Sequence, residues 1–193
     1  MMIFAALFSH ATIAFNSVAG DDVDIDLASA TVRPTIIVAG TRPTFRLHDR
    51  LLESRRGPMM RIMDYWQRRS LLNGTMPTMP SFAVAGDFGF AKNLRLLCIY
   101  YEAGSINVPI ISSSVLNSLR IALAARISYA LTVPGVAGAV CQTSIYDYRQ
   151  LRDPNSHFGA PLSSVELSVL GESDMVGGIE PVGKVRISPK SDT

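Results

Sequence analysis

The sequence predicts an α/β fold, in which an open, mostly parallel sheet flanked by helices is followed by the start of an antiparallel β-barrel subdomain. Strand-like apolar runs alternate with helix-like segments through most of the chain, which is typical of βαβ units and a parallel sheet. The pattern then changes to a period of two from Val165 to Val169, which is typical of antiparallel strands. Apolar residues make up 48% of the 193 residues, enough for a packed core. We therefore assign residues 1–157 to a partial α/β unit and residues 158–193 to a partial β-barrel unit.

The first half of the α/β unit is predicted to contain two short strands among four helices. Acidic residues between Asp21 and Asp26 favour a helix start, because carboxylates stabilise the positive end of the helix dipole. The β-branched run after Pro34 is typical of a strand buried on both faces, and Pro43 stands where a helix can begin. In chain order, we predict a helix at Ile3–His10, a strand at Thr12–Phe15, a helix at Asp22–Ala30, a strand at Thr35–Ala39, a helix from Pro43 and another after Gly57-Pro58.

The second half of the α/β unit is predicted to add two longer strands. Glycines and prolines indicate a loop at Asn73–Gly89, and the serines from Ser112 to Ser114 offer a helix N-cap. In chain order, we predict a strand at Leu94–Tyr101, a helix through Val115–Leu123, a strand at Arg126–Leu131, a turn at Gly159–Leu162 and alternating strands at Val165–Val169 and Gly183–Ser188.

Charge and cysteine content restrict the classes of partner and site. The formal net charge of +2 is too small to indicate nucleic acid binding. Eight arginines lie between Arg42 and Arg69, and we interpret them as a solvated helix face, with peripheral contact to acidic headgroups or phosphates as the alternative. Cys98 and Cys141 lie in apolar runs, so we predict buried free thiols in a reducing compartment.

The N-terminal segment Met1–Ala14 is apolar, and we predict a buried helix there. Its 14 residues are fewer than the roughly 20 that span a bilayer. It lacks the basic start of a secretory signal, although small residues near Ala14 and Ala19 keep secretion as the alternative. We expect a cytoplasmic chain without a transmembrane span, with peripheral membrane contact through the arginine-rich segment as a variant.

Other polar residues do not indicate a site. His10, His48 and His157 are interpreted as packing or turn residues, because no Ser-His-Asp or Cys-His signature surrounds them. The acidic residues from Asp21 to Asp26 lack the glycine and final glutamate of an EF-hand loop. We therefore predict no metal site.

Two predicted strands end in residues that suit ligand binding. Tyr101-Glu-Ala-Gly104 and Tyr129-Ala-Leu-Thr132 stand at carboxyl ends of strands, where open α/β sheets bind ligands. A glycine lets main chain approach a ligand, a tyrosine ring can stack on a base, and a threonine hydroxyl can reach a phosphate. Ordinary turn residues are the alternative interpretation.

Six segments carry, in order, a resemblance to a known family. They are Phe4–Phe15, Val32-Arg-Pro-Thr-Ile-Ile-Val-Ala39, Leu94–Tyr101 with Glu102-Ala-Gly104 and Ser112–Leu116, Ser128-Tyr-Ala-Leu-Thr132, Phe158-Gly-Ala-Pro-Leu162, and Gly183-Lys-Val-Arg-Ile-Ser188. Their order resembles the large domain of the adenylate-forming, AMP-binding superfamily, in particular its long-chain acyl-CoA synthetase branch and a fungal subgroup of it. The resemblance covers nearly the whole chain.

The resemblance implies an adenine nucleotide site at the two strand ends. Tyr129 is similar to the family's adenine-stacking tyrosine, Thr132 to its phosphate-contacting threonine, and Gly104 to a glycine of the loop that borders the adenylate. The family uses ATP and Mg²⁺ to activate fatty or other carboxylic acids and passes the acyl group to CoA. An adenine nucleotide is therefore the expected partner, and no residue of this chain is assigned as catalytic or as a metal ligand.

Several departures from the family pattern predict lost catalysis. Val133 stands where the family has a magnesium-binding glutamate, and Ala130 replaces a glycine. The sequence contains no Ser/Thr/Gly-rich phosphate loop ending in Pro-Lys-Gly, and the ribose aspartate and the C-terminal domain with the catalytic lysine are also missing. We expect a truncated ligase domain, a fragment or degenerate paralogue, that is catalytically incompetent alone. A non-catalytic adenylate-binding module and a secreted interaction protein are the alternatives.

Overall fold

The computed structural model describes residues 6, 8–16, 23–54, 58–78, 88–105, 108–136, 138–148, 155–171 and 183–189. Within them the chain forms a mixed α/β fold with a five-stranded sheet and a two-stranded sheet. The elements are α1 (Ile25–Val32), β1 (Ile36–Gly40), α2 (Thr41–Ser54), α3 (Pro58–Leu72), a 3₁₀ turn (Gly89–Lys92), β2 (Leu96–Glu102), α4 (Ser113–Leu123), β3 (Arg126–Thr132), β4 (Ala139–Gln142), β5 (Ala160–Pro161), β6 (Val165–Leu170) and β7 (Lys184–Pro189).

The five-stranded sheet has the order β1-β2-β3-β4-β5 and is mixed. The pairs β1–β2 and β2–β3 are parallel, as predicted, whereas β3–β4 and β4–β5 are antiparallel. The chain reverses after β3 through a turn in which the Val136 N–H donates to the Val133 carbonyl at 3.1 Å and Gly135 has a φ of +88°. A sheet flanked by helices is therefore confirmed, but the antiparallel strand β4 was not predicted.

The core lies on one face of β1, β2 and β3. Ile37, Leu97 and Ile127 point to this face and are at most 9% exposed. Helices α2 and α4 cover it through one apolar stripe each, and both stripes belong to the same buried cluster. The buried residues of the two stripes in that cluster are Leu47, Leu51, Leu116, Leu119, Ala122 and Leu123.

The opposite face of the sheet is partly exposed near β1. Ile36, Val38 and Tyr100 are 55%, 52% and 44% exposed. The prediction that β1 is buried on both faces is therefore wrong, although the strand itself is confirmed at Ile36–Gly40. The physical reason is that α2 and α4, which follow β1 and β2, pack on the same side, so a β-branched run is only half covered within the described residues.

Polar contacts fix the helices. The predicted N-cap is confirmed, because the Ser112 hydroxyl accepts from the Val115 N–H at 3.3 Å. The Arg50 guanidinium donates to Asp24 at 3.0 Å and also to Asp26, which joins α2 to α1. Arg68 on α3 donates to the Ser118 hydroxyl on α4 at 2.7 Å. Two of the arginines in the basic segment therefore hold helices together.

The N-terminal predictions are only partly met. Ala6 and Phe8 are helical, but the Phe8 side chain is 91% exposed, so the predicted burial is wrong at this residue. The predicted strand at Thr12–Phe15 is also wrong, because these residues are irregular and pair with no strand of the described part. The remainder of the predicted helix at Ile3–His10 lies outside the described residues, as does most of the second half of the Asn73–Gly89 loop.

The C-terminal strands pair as predicted. Strands β6 and β7 are antiparallel from Val165↔Pro189 to Leu170↔Lys184 and form a two-stranded sheet. Ala160–Pro161, where a turn was predicted, instead form the short strand β5 and pair with β4. The described residues therefore show a β-ribbon, while the barrel and the division at residue 157 stay predictions.

Candidate functional site

The two candidate strand ends lie side by side. Strands β2 and β3 are parallel neighbours in continuous register from Leu96↔Arg126 to Glu102↔Thr132. The Ala103 N–H extends this pairing by donating to the Thr132 carbonyl at 2.8 Å. Both carboxyl ends therefore open at the same edge of the sheet, the position where open α/β sheets bind ligands.

Gly104 forms the turn that follows β2. Its φ is +89°, and the turn is closed by the Ser105 N–H, which donates to the Glu102 carbonyl at 3.2 Å. A positive φ at the third residue of a turn favours glycine, because a side chain there is strained. A Cβ added at Gly104 would meet no heavy atom within 4 Å, so the space beside this turn is open to a ligand.

Thr132 lies at the end of β3 and is partly buried. Its hydroxyl donates to the Tyr101 carbonyl of β2 at 3.1 Å. A hydroxyl has one proton to donate, and a phosphate oxygen needs a donor. Thr132 can therefore serve a phosphate only if it gives up this bond between the strands.

Tyr129 lies in the middle of β3 rather than at its end, and it is fully buried. Its hydroxyl oxygen accepts from the Ile111 N–H at 3.3 Å, and its own N–H donates to the Thr143 hydroxyl at 2.9 Å. Burial raises the pKa of Tyr129 to about 12. The side chain is therefore held as a neutral phenol inside the core.

A residue that the sequence analysis did not single out covers the Tyr129 ring. The centroid of the Phe158 ring is 4.8 Å from that of Tyr129, with an angle of 35° between the planes, and 5.5 Å from that of Tyr101. Sequence gave no local signal for this contact, because it depends on β4 and β5 bringing a distant segment back to β3. The structure thus brings Gly104 and Thr132 to one edge and places Tyr129 beneath Phe158.

A clip of polar contacts fixes the segment that carries Phe158. His157, predicted as a turn residue, has its Nε2 2.9 Å from the Asp147 carboxylate, and its Nδ1 accepts from the Gly159 N–H at 2.9 Å. Because Nδ1 accepts, the proton lies on Nε2 and is directed to Asp147. Both ring nitrogens are used within the loop, so this pair orders the chain and is not arranged to activate a nucleophile.

Metal chemistry has little support at this edge. Val133 offers no oxygen from its side chain, and the exposed carboxylate of Glu102 stands at the end of β2. The described residues contain no group of three or more His, Cys, Asp or Glu side chains that could hold a metal ion. Cys98 and Cys141 are confirmed as buried free thiols.

A groove of about 410 Å³ lies elsewhere, beside β1 and α1. Its apolar lining includes Ile25, Val32, Ile36, Val38 and Tyr100. Gly104, Thr132 and Tyr129 do not line it, so this groove is separate from the strand-end site.

No protein-family model matches the sequence, and no curated protein is significantly similar to it. Among the described residues, none of the helices is both long and apolar enough to cross a membrane. The nucleotide site therefore depends on the order of the sequence motifs and on the geometry of the strand ends.

Proposed function

We propose that this chain is an AMP-binding, acyl-CoA ligase-like domain that holds an adenine nucleotide or acyl adenylate at the carboxyl ends of β2 and β3. Within its 193 residues it does not complete the ligase reaction. The proposed location is the cytoplasm, and the proposed role of the ribbon formed by β6 and β7 is the entry into a β-barrel subdomain.

One observation carries the binding half of the proposal, namely the parallel pairing of β2 with β3 that ends at Glu102↔Thr132. It aligns the Gly104 turn, which has open space beside it, with the end of the strand that contains Tyr129. Glycine turns at adjacent parallel strand ends let main-chain groups approach a nucleotide. This geometry supports a binding site without supplying groups that react.

The chemistry of adenylate formation explains why binding is proposed without turnover. The attack on the α-phosphate of ATP develops negative charge that must be offset by positioned donors or cations. Val133 cannot hold Mg²⁺, and no Pro-Lys-Gly phosphate loop is present in the sequence. Each missing electrostatic group costs about 100- to 1000-fold in rate, so their joint absence leaves no useful rate.

Titration calorimetry with AMP and with a non-hydrolysable acyl-adenylate analogue tests the binding half. A Gly104→Ala variant is expected to weaken AMP binding about fivefold or more, because a side chain at a φ of +89° strains the turn by about 1 kcal/mol and displaces its main chain. Gly74→Ala is the matched control, since Gly74 has a φ of +82° and equally open surroundings but lies after α3. It is expected to lose similar stability and to keep AMP affinity.

The outcomes separate the two halves of the proposal. Absence of heat from the wild-type chain at millimolar AMP removes the binding half. Release of pyrophosphate from ATP and a fatty acid at a rate above the uncatalysed background removes the claim of incompetence. Equal affinity losses in both glycine variants would mean that Gly104 acts only through stability.

A further inference from the structure

Phe158 occupies the face of Tyr129 on which a base would stack. The ring centroids of the two residues are 4.8 Å apart, a separation at which aromatic rings attract each other. Tyr129 is 0% exposed, whereas Phe158 is only partly buried and forms the outer ring of the pair. A planar adenine cannot stack on this face of Tyr129 while Phe158 remains there.

The main chain on both sides of Phe158 is fixed, so its side chain is the part that can move. The Ser156 N–H donates to the Ile111 carbonyl at 3.0 Å, and His157 is held by Asp147. On the other side, Gly159 lies against the Gln142 main chain and Ala160 pairs with Gln142 in the sheet. Rotation about the side-chain bonds of Phe158 would uncover the Tyr129 ring without unpairing a strand.

Tyr101 makes the position three-sided. Its ring centroid is 5.5 Å from that of Phe158, so Phe158 contacts one aromatic residue from each of the two strands whose ends form the site. This arrangement gives Phe158 the same apolar, aromatic surroundings that would favour an adenine ring. The side chain is therefore suited to fill the position when no base is bound.

We infer that Phe158 is an internal occupant of the base-stacking position, displaced by the adenine ring when a nucleotide binds, and that it thereby sets the nucleotide affinity. The inference rests on the proposed function, because it needs a nucleotide to compete with. Binding then exchanges one aromatic contact for another, and the chain binds AMP more weakly than a site with an open tyrosine face.

The size of the effect follows from the contact that is exchanged. An aromatic pair of this geometry corresponds to a change of about twofold to tenfold in a binding constant. We therefore expect Phe158→Ala to bind AMP about threefold to tenfold more tightly than the wild type. Phe158→Leu, which removes the flat ring but keeps apolar cover, is expected to lie between the two.

Phe45→Ala is the matched control. Phe45 is also partly buried and packed against the core, but it lies on α2 and makes no ring contact with Tyr129 among the described residues. Truncating it removes the same side chain at a comparable depth, so AMP affinity is expected to stay at the wild-type value. Calorimetric titration with AMP, after circular dichroism has confirmed folding, compares all four proteins.

The results distinguish this inference from the proposed function. Tighter AMP binding by Phe158→Ala, with Phe45→Ala unchanged, supports both. Detectable and equal affinities in all four proteins overturn the inference and leave the proposed function intact. Absence of AMP binding in every protein overturns both. If Phe158→Ala does not fold, Phe158→Leu decides, and an affinity equal to that of the wild type overturns the inference.

Discussion

Substitution of Gly159 by alanine is the strongest single test of how the site segment is held. Gly159 has a φ of +79°, and an added Cβ would lie 2.2 Å from the Gln142 carbonyl oxygen and 2.7 Å from the Thr143 Cα. Both neighbours are main-chain atoms of β4 or of the residue after it, so they cannot rotate away. The substitution must therefore move residues 159–161 off the sheet.

The expected cost has two parts. A side chain in the left-handed region costs about 1–2 kcal/mol. Displacement of β5 from β4 also loses pairing that includes the bond from the Leu162 N–H to the Val140 carbonyl at 3.0 Å, and each such bond contributes about 1 kcal/mol. We expect Gly159→Ala to lower the free energy of unfolding by about 3 kcal/mol.

Gly135→Ala separates the two parts. Gly135 has a φ of +88° but no heavy atom within 4 Å of an added Cβ, so this variant measures the conformational cost alone. Urea unfolding, followed by circular dichroism, gives the free energy of unfolding of both variants and of the wild type. The reasoning is refuted if Gly159→Ala falls within about 0.5 kcal/mol of Gly135→Ala, the usual error of additivity.

Two further predictions concern ionisable side chains. Burial raises the pKa of Tyr129 from 10.0 to about 12, so the unfolded chain releases this proton first and stability is full below pH 10. The free energy of unfolding should then fall by about 1.4 kcal/mol per pH unit between about pH 10 and 12, and Tyr129→Phe should lack this component; parallel curves for the two proteins would contradict it. Burial also raises the pKa of the Cys98 and Cys141 thiols. A disulfide reagent at neutral pH should therefore modify the native chain at least about tenfold more slowly than the urea-unfolded chain, and equal rates would show that the thiols are accessible.

Local patterns were sufficient for the elements that position the site. The apolar run that contains β2, the serine cap of α4 and the strand before Thr132 were predictable because each depends on neighbouring residues. The parallel pairing of β2 with β3 followed from their connection through a helix. The edge that bears Gly104 and Thr132 could therefore be predicted from the sequence.

Features that depend on distant segments could not be predicted. Strand β4 has only four residues, Ala139–Gln142, and its register is set by β3 rather than by its own pattern. The exposed face at Ile36 and Val38 depends on which side of the sheet the helices cover. The contact of Phe158 with Tyr129 requires β4 and β5 to return the chain to the sheet.

The strand-end site is already satisfied by the protein's own groups, and this determines how a ligand can bind. The Thr132 proton is used by the Tyr101 carbonyl, and the Tyr129 ring is covered by Phe158. A nucleotide must replace these contacts with equivalent ones, so its affinity is a difference between similar terms rather than a sum of new contacts. A Thr132→Val change removes the hydroxyl bond and Phe158→Ala removes the stack, so each alters only one side of that difference. The affinity of this site is therefore set by what the empty chain gives up as much as by what the ligand gains.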